Sequence, residues 1–428
     1  MKISFIIPSR NNFKYLKWAY DSIRRNQGIH DVQICVADDA STDETWEWCQ
    51  ETMETDSQFQ AIRNEGPERQ GLVILNDRLV DEVAKHDICM IYHADMYLCP
   101  GALDAIERQM YAFIPNQKDL YGATEIIPRE KTIVSLTRIE PPLHPPGPEK
   151  LLKDFGVEPE EFKERELLDW YHNTGFREYI HERFYDVNQQ NMQPQTEGIF
   201  APWAFWKKDF QEIGGHDKLF APQSKEDSDI FNRFQLNGVK FIQTWEGFVY
   251  HMTSRGSRFN PASGGAPGKD SPEWLHTTTV NMRNFIRKWG TTIKHDQYMK
   301  PIISPKYNIG IKLKNGNLQL LELLEPWCDT IYTQETFTIG RAWDYVEKEQ
   351  ENTLFDLSER IVPYDNEMNN DILVEIDGTT FTEPDFGNIQ QLADIIQDTG
   401  ELGEFELGNL KISIFNIESY ERDLIVRK

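Results

Sequence analysis

Over the first 115 residues, short apolar runs alternate with segments whose apolar residues return every three or four positions, and this alternation constrains the fold most. Phe5-Ile6-Ile7 is a strand-length run ending at Pro8, and Leu16, Ala19, Tyr20 and Ile23 then recur at helical spacing. Ile34-Cys35-Val36-Ala37 is continuously apolar, as in a strand covered on both faces of a parallel sheet. Ser41 and Glu44 read as a capping box opening a helix that carries Trp46, Cys49 and Met53 on one face. Leu72, Leu75 and Leu79 mark a third helix, Ile88 to Tyr92 a further strand, and Pro100-Gly101 opens a helix burying Leu103, Ile106 and Met110. Repeated strand–helix alternation implies right-handed crossovers and an open, doubly wound α/β sheet. Such sheets bind ligands beyond the carboxyl ends of their strands.

Glu140 to Pro148 breaks the pattern with an extended proline-rich stretch, and residues to about 195 are charged, aromatic and helical in pattern. Residues 139–195 are therefore expected to be an insertion in a catalytic domain of residues 1–260. Residues 261–300 are expected to form a flexible loop and the closing helix of that part, with Val280, Phe285 and Ile286 on one face. Residues 301–428 form a separate small α/β domain of unknown role. There Ile309 to Leu318 alternates about Asn315-Gly316, which predicts a hairpin, and an amphipathic helix is expected over 389–398.

A formal charge of −25 argues against DNA or RNA as partner. It also disfavours a nucleoside diphosphate unless a metal ion and local arginines reverse the field inside a pocket, which salt isolates from charges beyond about 10 Å. No apolar run approaches the roughly 18 residues of a membrane span, and the apolar start at Met1 is too short for a signal peptide. Cys35, Cys49, Cys89, Cys99 and Cys328 follow no disulfide or zinc spacing, which fits reduced core thiols and a cytoplasmic location.

Polar motifs sit where these elements begin or end. Asp38 and Asp39 end the second strand, where a carboxylate either accepts from a base or ribose or caps the next helix. The turn Pro8-Ser9-Arg10 can wrap a base. His93 and Asp95 follow the run 88–92 and face one crevice; Mg²⁺ and Mn²⁺ take oxygen ligands, and imidazole suits Mn²⁺ better. Glu226 and Asp227 open a helix whose dipole favours ionised carboxylates. Asp227 is thus a candidate base for an attacking hydroxyl, or one of several acids at an ordinary helix start. His251 ends a strand as a third ligand or a structural histidine. Arg255 and Arg258 either close over phosphates or lie on the surface. Trp203 and Trp206 are candidates to stack on an acceptor sugar. Phe162, Trp170, Tyr171, Phe176, Tyr179, Phe184 and Tyr185 either do the same or make a small core of the insertion.

The order of these pieces resembles glycosyltransferase family 2 of the GT-A fold, whose pattern is Ile-Pro-x-x-Asn, Asp-Asp-x-Ser-x-Asp-x-Thr, then Asp-x-Asp before Pro-Gly-x-Leu. Here these stand as Ile7-Pro8-Ser9-Arg10-Asn11, Asp38 to Thr45, and His93-Ala94-Asp95 before Pro100-Gly101-Ala102-Leu103. Ile213-Gly214-Gly215-His216-Asp217, Glu226-Asp227 with Asp229, and Tyr250-His251 resemble the acceptor half. The resemblance implies a GT-A type, Rossmann-like doubly wound mixed sheet. It also implies metal-dependent, inverting transfer of a hexosyl or N-acetylhexosaminyl group from a nucleotide-sugar donor, UDP-sugar first, to a hydroxyl of a glycan or other acceptor. On this reading the donor contacts are Pro8, Ser9, Arg10, Asp38, Asp39, Asn76, Ala94, Arg255 and Arg258. Asp227 is the base with Glu226 beside it, and Asp95, His251 and His93 hold Mn²⁺ or Mg²⁺. The chain departs from the family at His93, where Asp is usual, so a catalytically silent binding or structural protein stays open as an alternative. A sugar nucleotidyltransferase fits less, because Ser9-Arg10-Asn11-Asn12 is not a glycine-rich basic loop. A homo-oligomer remains an open partner class.

Overall fold

The computed structural model describes residues 1–115, 124–186, 191–192, 194–253, 255, 259, 265–266, 269–334 and 339–427. By contacts the chain divides into one unit of residues 1–275 with 295–301 and another of 276–294 with 302–428. Most of the helix at 272–289, expected with the first domain, thus counts with the second unit.

The first unit is built on a mixed sheet. Its chain order runs β1 (Lys2–Ser9), α1 (Phe13–Asn26), β2 (Asp31–Asp39), α2 (Thr45–Thr55), β3 (Phe59–Asn64), α3 (Gly71–Arg78), β4 (Ile88–Ile91), β5 (Met96–Leu98) and α4 (Ala102–Met110). A ribbon of β6 (Tyr111–Pro115) and β7 (Thr124–Pro128) follows, then β8 (Thr132–Glu140), β9 (Lys150–Leu152), α5 (Glu164–His172) and α6 (Thr174–Phe184). Short β10 (Tyr185–Asp186), β11 (Asn191–Met192) and β12 (Gln195–Thr196) lead to β13 (Trp203–Trp206), α7 (Lys207–Glu212), α8 (Glu226–Leu236) and β14 (Lys240–His251). The sheet order is β12-β14-β8-β13-β4-β1-β2-β3, with β5 on β14 and β9 on β8. β1, β2, β3 and β4 run parallel, and β13 is antiparallel to its neighbours β4 and β8. The doubly wound α/β sheet expected from the alternation is therefore present, and it is mixed, as the resemblance implies. Because the chain winds from β1 through β3 and then returns to the other side of β1, the sheet has its switch point between β1 and β4, where open α/β sheets bind ligands.

Apolar strand faces and the inner stripes of the helices make one core: Ile3, Phe5 and Ile7 of β1, Leu16, Ala19 and Ile23 of α1, and Leu103 and Ile106 of α4. The capping box expected at Ser41 and Glu44 does not form. Asp43 accepts from the backbone N–H of Thr45 (3.2 Å), while the Ser41 hydroxyl accepts from Asn11 N–H (2.9 Å), tying the turn after β2 to the turn after β1. In the insertion, Phe176 joins Phe155, Leu167, Trp245, Phe248 and Tyr250 in a second core, and Phe162, Trp170, Tyr171 and Phe184 pack against it. The insertion thus has no separate core of its own: its aromatics pack onto Tyr97, Trp245, Phe248 and Tyr250 of the sheet; the side chains of Tyr179 and Tyr185 lie outside the described residues. All five cysteines are free and buried.

The second unit carries α9 (Pro272–Trp289, from residue 276), β15 (Ile309–Lys314), α10 (Leu318–Leu324), β16 (Thr330–Thr333), α11 (Ile339–Gln350), α12 (Leu357–Arg360), β17 (Ile361–Pro363), β18 (Ile372–Asp377), α13 (Glu383–Gln390), α14 (Leu392–Thr399), β19 (Gly403–Leu407) and β20 (Leu410–Ile414). Its sheet order is β17-β16-β15-β18-β20-β19, parallel from β17 through β18. The hairpin predicted about Asn315-Gly316 is absent. β15 pairs in parallel with β16 and β18, and the Asn317 side chain accepts from Leu320 N–H (2.9 Å), starting a helix that buries Leu321 and Leu324. The helix expected over 389–398 is two helices, α13 and α14, meeting at Gln391. Among the described residues, no helix is long and apolar enough to cross a membrane.

Candidate functional site

A cleft opens at the carboxyl ends of β1, β4 and β14, with a cavity volume of about 290 Å³. Pro8, Ser9 and Arg10 leave β1 into it, Tyr92, His93, Ala94 and Asp95 leave β4, and His251 ends β14. Asn76 and Leu75 of α3, Arg69 and Gln223 line it as well, together with Glu226 and Asp227 of α8. Most residues expected to contact donor, metal or attacking hydroxyl therefore share one crevice.

The ligand-type atoms of His93, Asp95 and His251 lie within 4.8 Å of one another. His251 Nε2 is 3.3 Å from Asp95 Oδ1, and its Nδ1 is 2.8 Å from Glu140 Oε1. Burial alone would depress the His251 pKa, but Asp95 and Glu140 outweigh it and push it up to about 9. His93 goes the other way: burial, then the neighbouring His251, lowers it to about 4, so it is a neutral imidazole at pH 7. Asp95 stays below the usual carboxylate range because His251 and His93 outweigh its burial. One ionised carboxylate and two imidazoles fit a divalent ion such as Mn²⁺, which accepts nitrogen more readily than Mg²⁺ does.

Just before α8, Ser224 and Lys225 adopt left-handed φ of 83° and 72°, which turns Glu226 and Asp227 into the first turn of that helix. Burial, then the adjacent Asp227, raises the Glu226 pKa to about 8. Burial raises Asp227 as well, but the fields of His216 and Arg138 pull it back. Of the two, Asp227 is the one whose ionised form is favoured by neighbouring His216 and Arg138. Ser9 Oγ, Asn76 Oδ1 and Glu226 Oε2 are buried polar atoms that meet no protein partner, so the cleft holds hydrogen-bonding capacity that a ligand can use.

Several expected site residues are placed elsewhere. Asp38 is fully buried outside the cleft, with Oδ1 accepting from Ser41 N–H (3.2 Å) and Oδ2 3.2 Å from Arg63. Asp39 lines the cleft, but its oxygens accept from the N–H groups of Gln70 and Gly71 (2.9 Å each) and from Asn64 (2.8 Å); it serves as the cap of α3. Trp203 and Trp206 are core residues, not an acceptor platform. Phe231 and Phe234 of α8 pack on Trp203, which is fully buried, and Trp206 donates to Arg129 O (2.8 Å). Arg255 is drawn to the insertion, donating to Val157 O (3.0 and 2.8 Å) and pairing with Glu158 (3.1 Å). Arg258 lies outside the described residues. Sequence reasoning missed Arg69 and Gln223 in the wall and Glu140 behind His251. Glu140 opens the proline-rich stretch and looks there like the edge of a loop.

Residues 4–135 match the model of glycosyl transferase family 2. The abequosyltransferase of Salmonella typhimurium (strain LT2) is 29% identical over 148 residues, which are 33% of this chain and 40% of that relative. The chain thus spans well under half the length of that curated relative. Among solved structures, a mannosyltransferase from Pyrobaculum calidifontis in complex with GDP-Man and Mn²⁺ overlaps at a TM-score of 0.36 and 15% identity, over 58% of this chain and 56% of the other. GalNAc-T7 with UDP, GalNAc and Mn²⁺ overlaps at 0.40 and 12%, over 59% and 44%. The stretch that matches the glycosyl transferase family 2 model contains the Pro8 to Arg10 turn, Asp39 and the His93 to Asp95 strand end.

Proposed function

We propose that the protein is a metal-dependent, inverting glycosyltransferase that moves a sugar from a nucleoside-diphosphate sugar to a hydroxyl acceptor. What supports the reading is the convergence, in one cleft at the switch point of the sheet, of the His93, Asp95 and His251 trio with the Glu226 and Asp227 pair. Asp95, His251 and His93 would hold the ion, Mn²⁺ in preference to Mg²⁺; when bound, it supplies positive charge where the diphosphate departs. Arg10 lines the same cleft, and Arg69 pairs there with Asp39 (3.6 Å) and Glu273 (3.4 Å), which balances part of the acidic charge locally. Asp227 takes the proton from the acceptor hydroxyl as the oxygen attacks the anomeric carbon. Glu226, holding its proton at neutral pH, keeps a second negative charge out of the site.

The test is hydrolysis and transfer with a panel of UDP-, GDP- and dTDP-sugars in Mn²⁺. Turnover of at least one donor is expected, and no binding or turnover with any donor sinks the reading in favour of a silent module.

Glu226 yields a separate expectation about pH. Its folded pKa of about 8 means that the carboxyl is neutral at pH 7 and ionises as the pH rises through about 8. Glu226→Gln mimics the neutral form, so its kcat at pH 7 should stay close to that of the unmodified protein. Above pH 8 the unmodified protein should lose donor affinity as the second carboxylate charges, and the variant should not. Parallel pH profiles of KM for the donor check this; identical profiles would remove the proton from Glu226.

A further inference from the structure

Behind the trio lies a buried polar chain that the proposed reaction has not used. β8 and β14 run in parallel, with Ile139 opposite Tyr250, so Glu140 and His251 lie side by side at the two strand ends. Glu140 Oε1 is 2.8 Å from His251 Nδ1, on the side of the ring away from Asp95, which is 3.3 Å from Nε2. Glu140 is itself fixed: Arg138 Nε lies 3.3 Å away, Lys150 Nζ 3.0 Å away, and Arg138 Nη2 donates to Glu149 at 2.8 Å. Arg138, Glu140 and Glu149 are all buried.

We propose that Glu140 is a positioning residue for the metal site, one that fixes the ring of His251 so that Nε2 is the nitrogen presented between His93 and Asp95. The inference rests on the metal reading given above. A histidine ligand whose far nitrogen donates to a carboxylate has its ring orientation set before metal arrives, and it keeps the proton on that far nitrogen when the near one gives its own up to the ion. Geometry supplies each requirement. The carboxylate is on the far nitrogen, two cations hold it in place, and it contributes no atom to the trio itself. The competing role for Glu140 is to balance Arg138 and Lys150 with no effect on His251. Glu149 separates the two roles, because it pairs with Arg138 in the same buried chain but does not touch His251.

The experiment is Mn²⁺ titration of the full chain followed by electron paramagnetic resonance of the free ion, with melting temperature and kcat at saturating Mn²⁺ measured alongside. Glu140→Gln keeps an acceptor for Nδ1–H and removes the charge. It is expected to raise the Kd for Mn²⁺ by about 10- to 100-fold while kcat at saturating metal stays near that of the unmodified protein. Glu140→Asp restores the charge and should recover most of the affinity. If Glu140→Gln does not fold, Glu140→Asp carries the comparison with a smaller rise in Kd. Glu149→Gln should lower the melting temperature with no change in Kd. Unchanged Kd in both Glu140 variants, or an equal rise in Glu149→Gln, overturns the assignment. Absence of Mn²⁺ binding by the unmodified protein overturns the metal reading itself, and the role of Glu140 falls with it.

Discussion

Replacing Asp227 by Asn should lower kcat by about 10²- to 10⁴-fold, the range over which a positioned general base contributes. Donor binding measured by calorimetry should be largely unchanged. The substitution is nearly isosteric and leaves the helix start intact, so the loss falls on proton removal. Asp227, not Glu226, is the sensitive position, because burial and the adjacent acid favour the neutral form of Glu226 while His216 and Arg138 favour the charge on Asp227. The contrast with Glu226→Gln makes the assignment testable within one pair of variants. Turnover retained by Asp227→Asn and lost by Glu226→Gln would exchange the two roles. Retention by both would move the base elsewhere.

Glu325→Gln should destabilise the second unit by about 3–5 kcal/mol, the cost of removing one partner from a buried ion cluster. Glu325 is fully buried and accepts from Arg287 (2.7 to 3.1 Å), Arg360 (2.8 Å) and the Tyr345 hydroxyl (2.9 Å). Arg287 also reaches Glu349 (2.6 Å), and Arg283 pairs with the same carboxylate (2.8 Å). With Gln at 325, Arg287 and Arg360 lose their shared counter-charge inside the core. Calorimetric unfolding checks the magnitude, and a loss below about 1 kcal/mol, as for an exposed pair, would show that the cluster is solvated. The sign of the pH dependence follows from the same contacts. Burial raises the Glu325 pKa, but Arg360 and Arg287 outweigh it and hold it at about 2, below the ordinary 4.5. Its contribution to stability is therefore complete above about pH 4.5 and disappears as the pH falls toward 2. Glu325→Gln should flatten acid unfolding over that window.

The sheet was legible because its strands are buried on both faces, so runs such as Ile34 to Ala37 carry no competing pattern. That His93, Asp95 and His251 meet was legible for a related reason: they interrupt apolar runs at strand ends. Reading failed where tertiary contacts outbid local chemistry. Ser41 has the residue type of a helix cap but is claimed by Asn11, thirty positions away. Asp39 has the chemistry of a nucleoside contact and is occupied by the backbone of α3. Asn315-Gly316 is a turn signal, but Asn317 and the leucines behind it start a helix, and β15 finds parallel partners instead. Trp203 and Trp206 lie close in sequence to Ile213 to Asp217, yet Phe231 and Phe234 of α8 cover the face of Trp203 and Arg129 O takes the indole N–H of Trp206, which leaves no open face to offer a sugar. Glu140 was invisible because its meaning depends on register with a strand that begins 100 residues later.

α3 opens on Gly71, whose φ is +78° and where a Cβ would come within 2.3 Å of Pro222. Pro222 stands at the head of the turn that delivers Glu226 and Asp227, and its carbonyl accepts from Val73 N–H (3.3 Å). The wall carrying Asn76 and the loop carrying the paired acids therefore meet main chain to main chain, across a gap the size of a glycine. Neither is a module that can be exchanged alone. Grafting a foreign loop over 221–225 to redirect acceptor choice would need to reproduce the Pro222 face, and a Gly71→Ala change would shift both walls together.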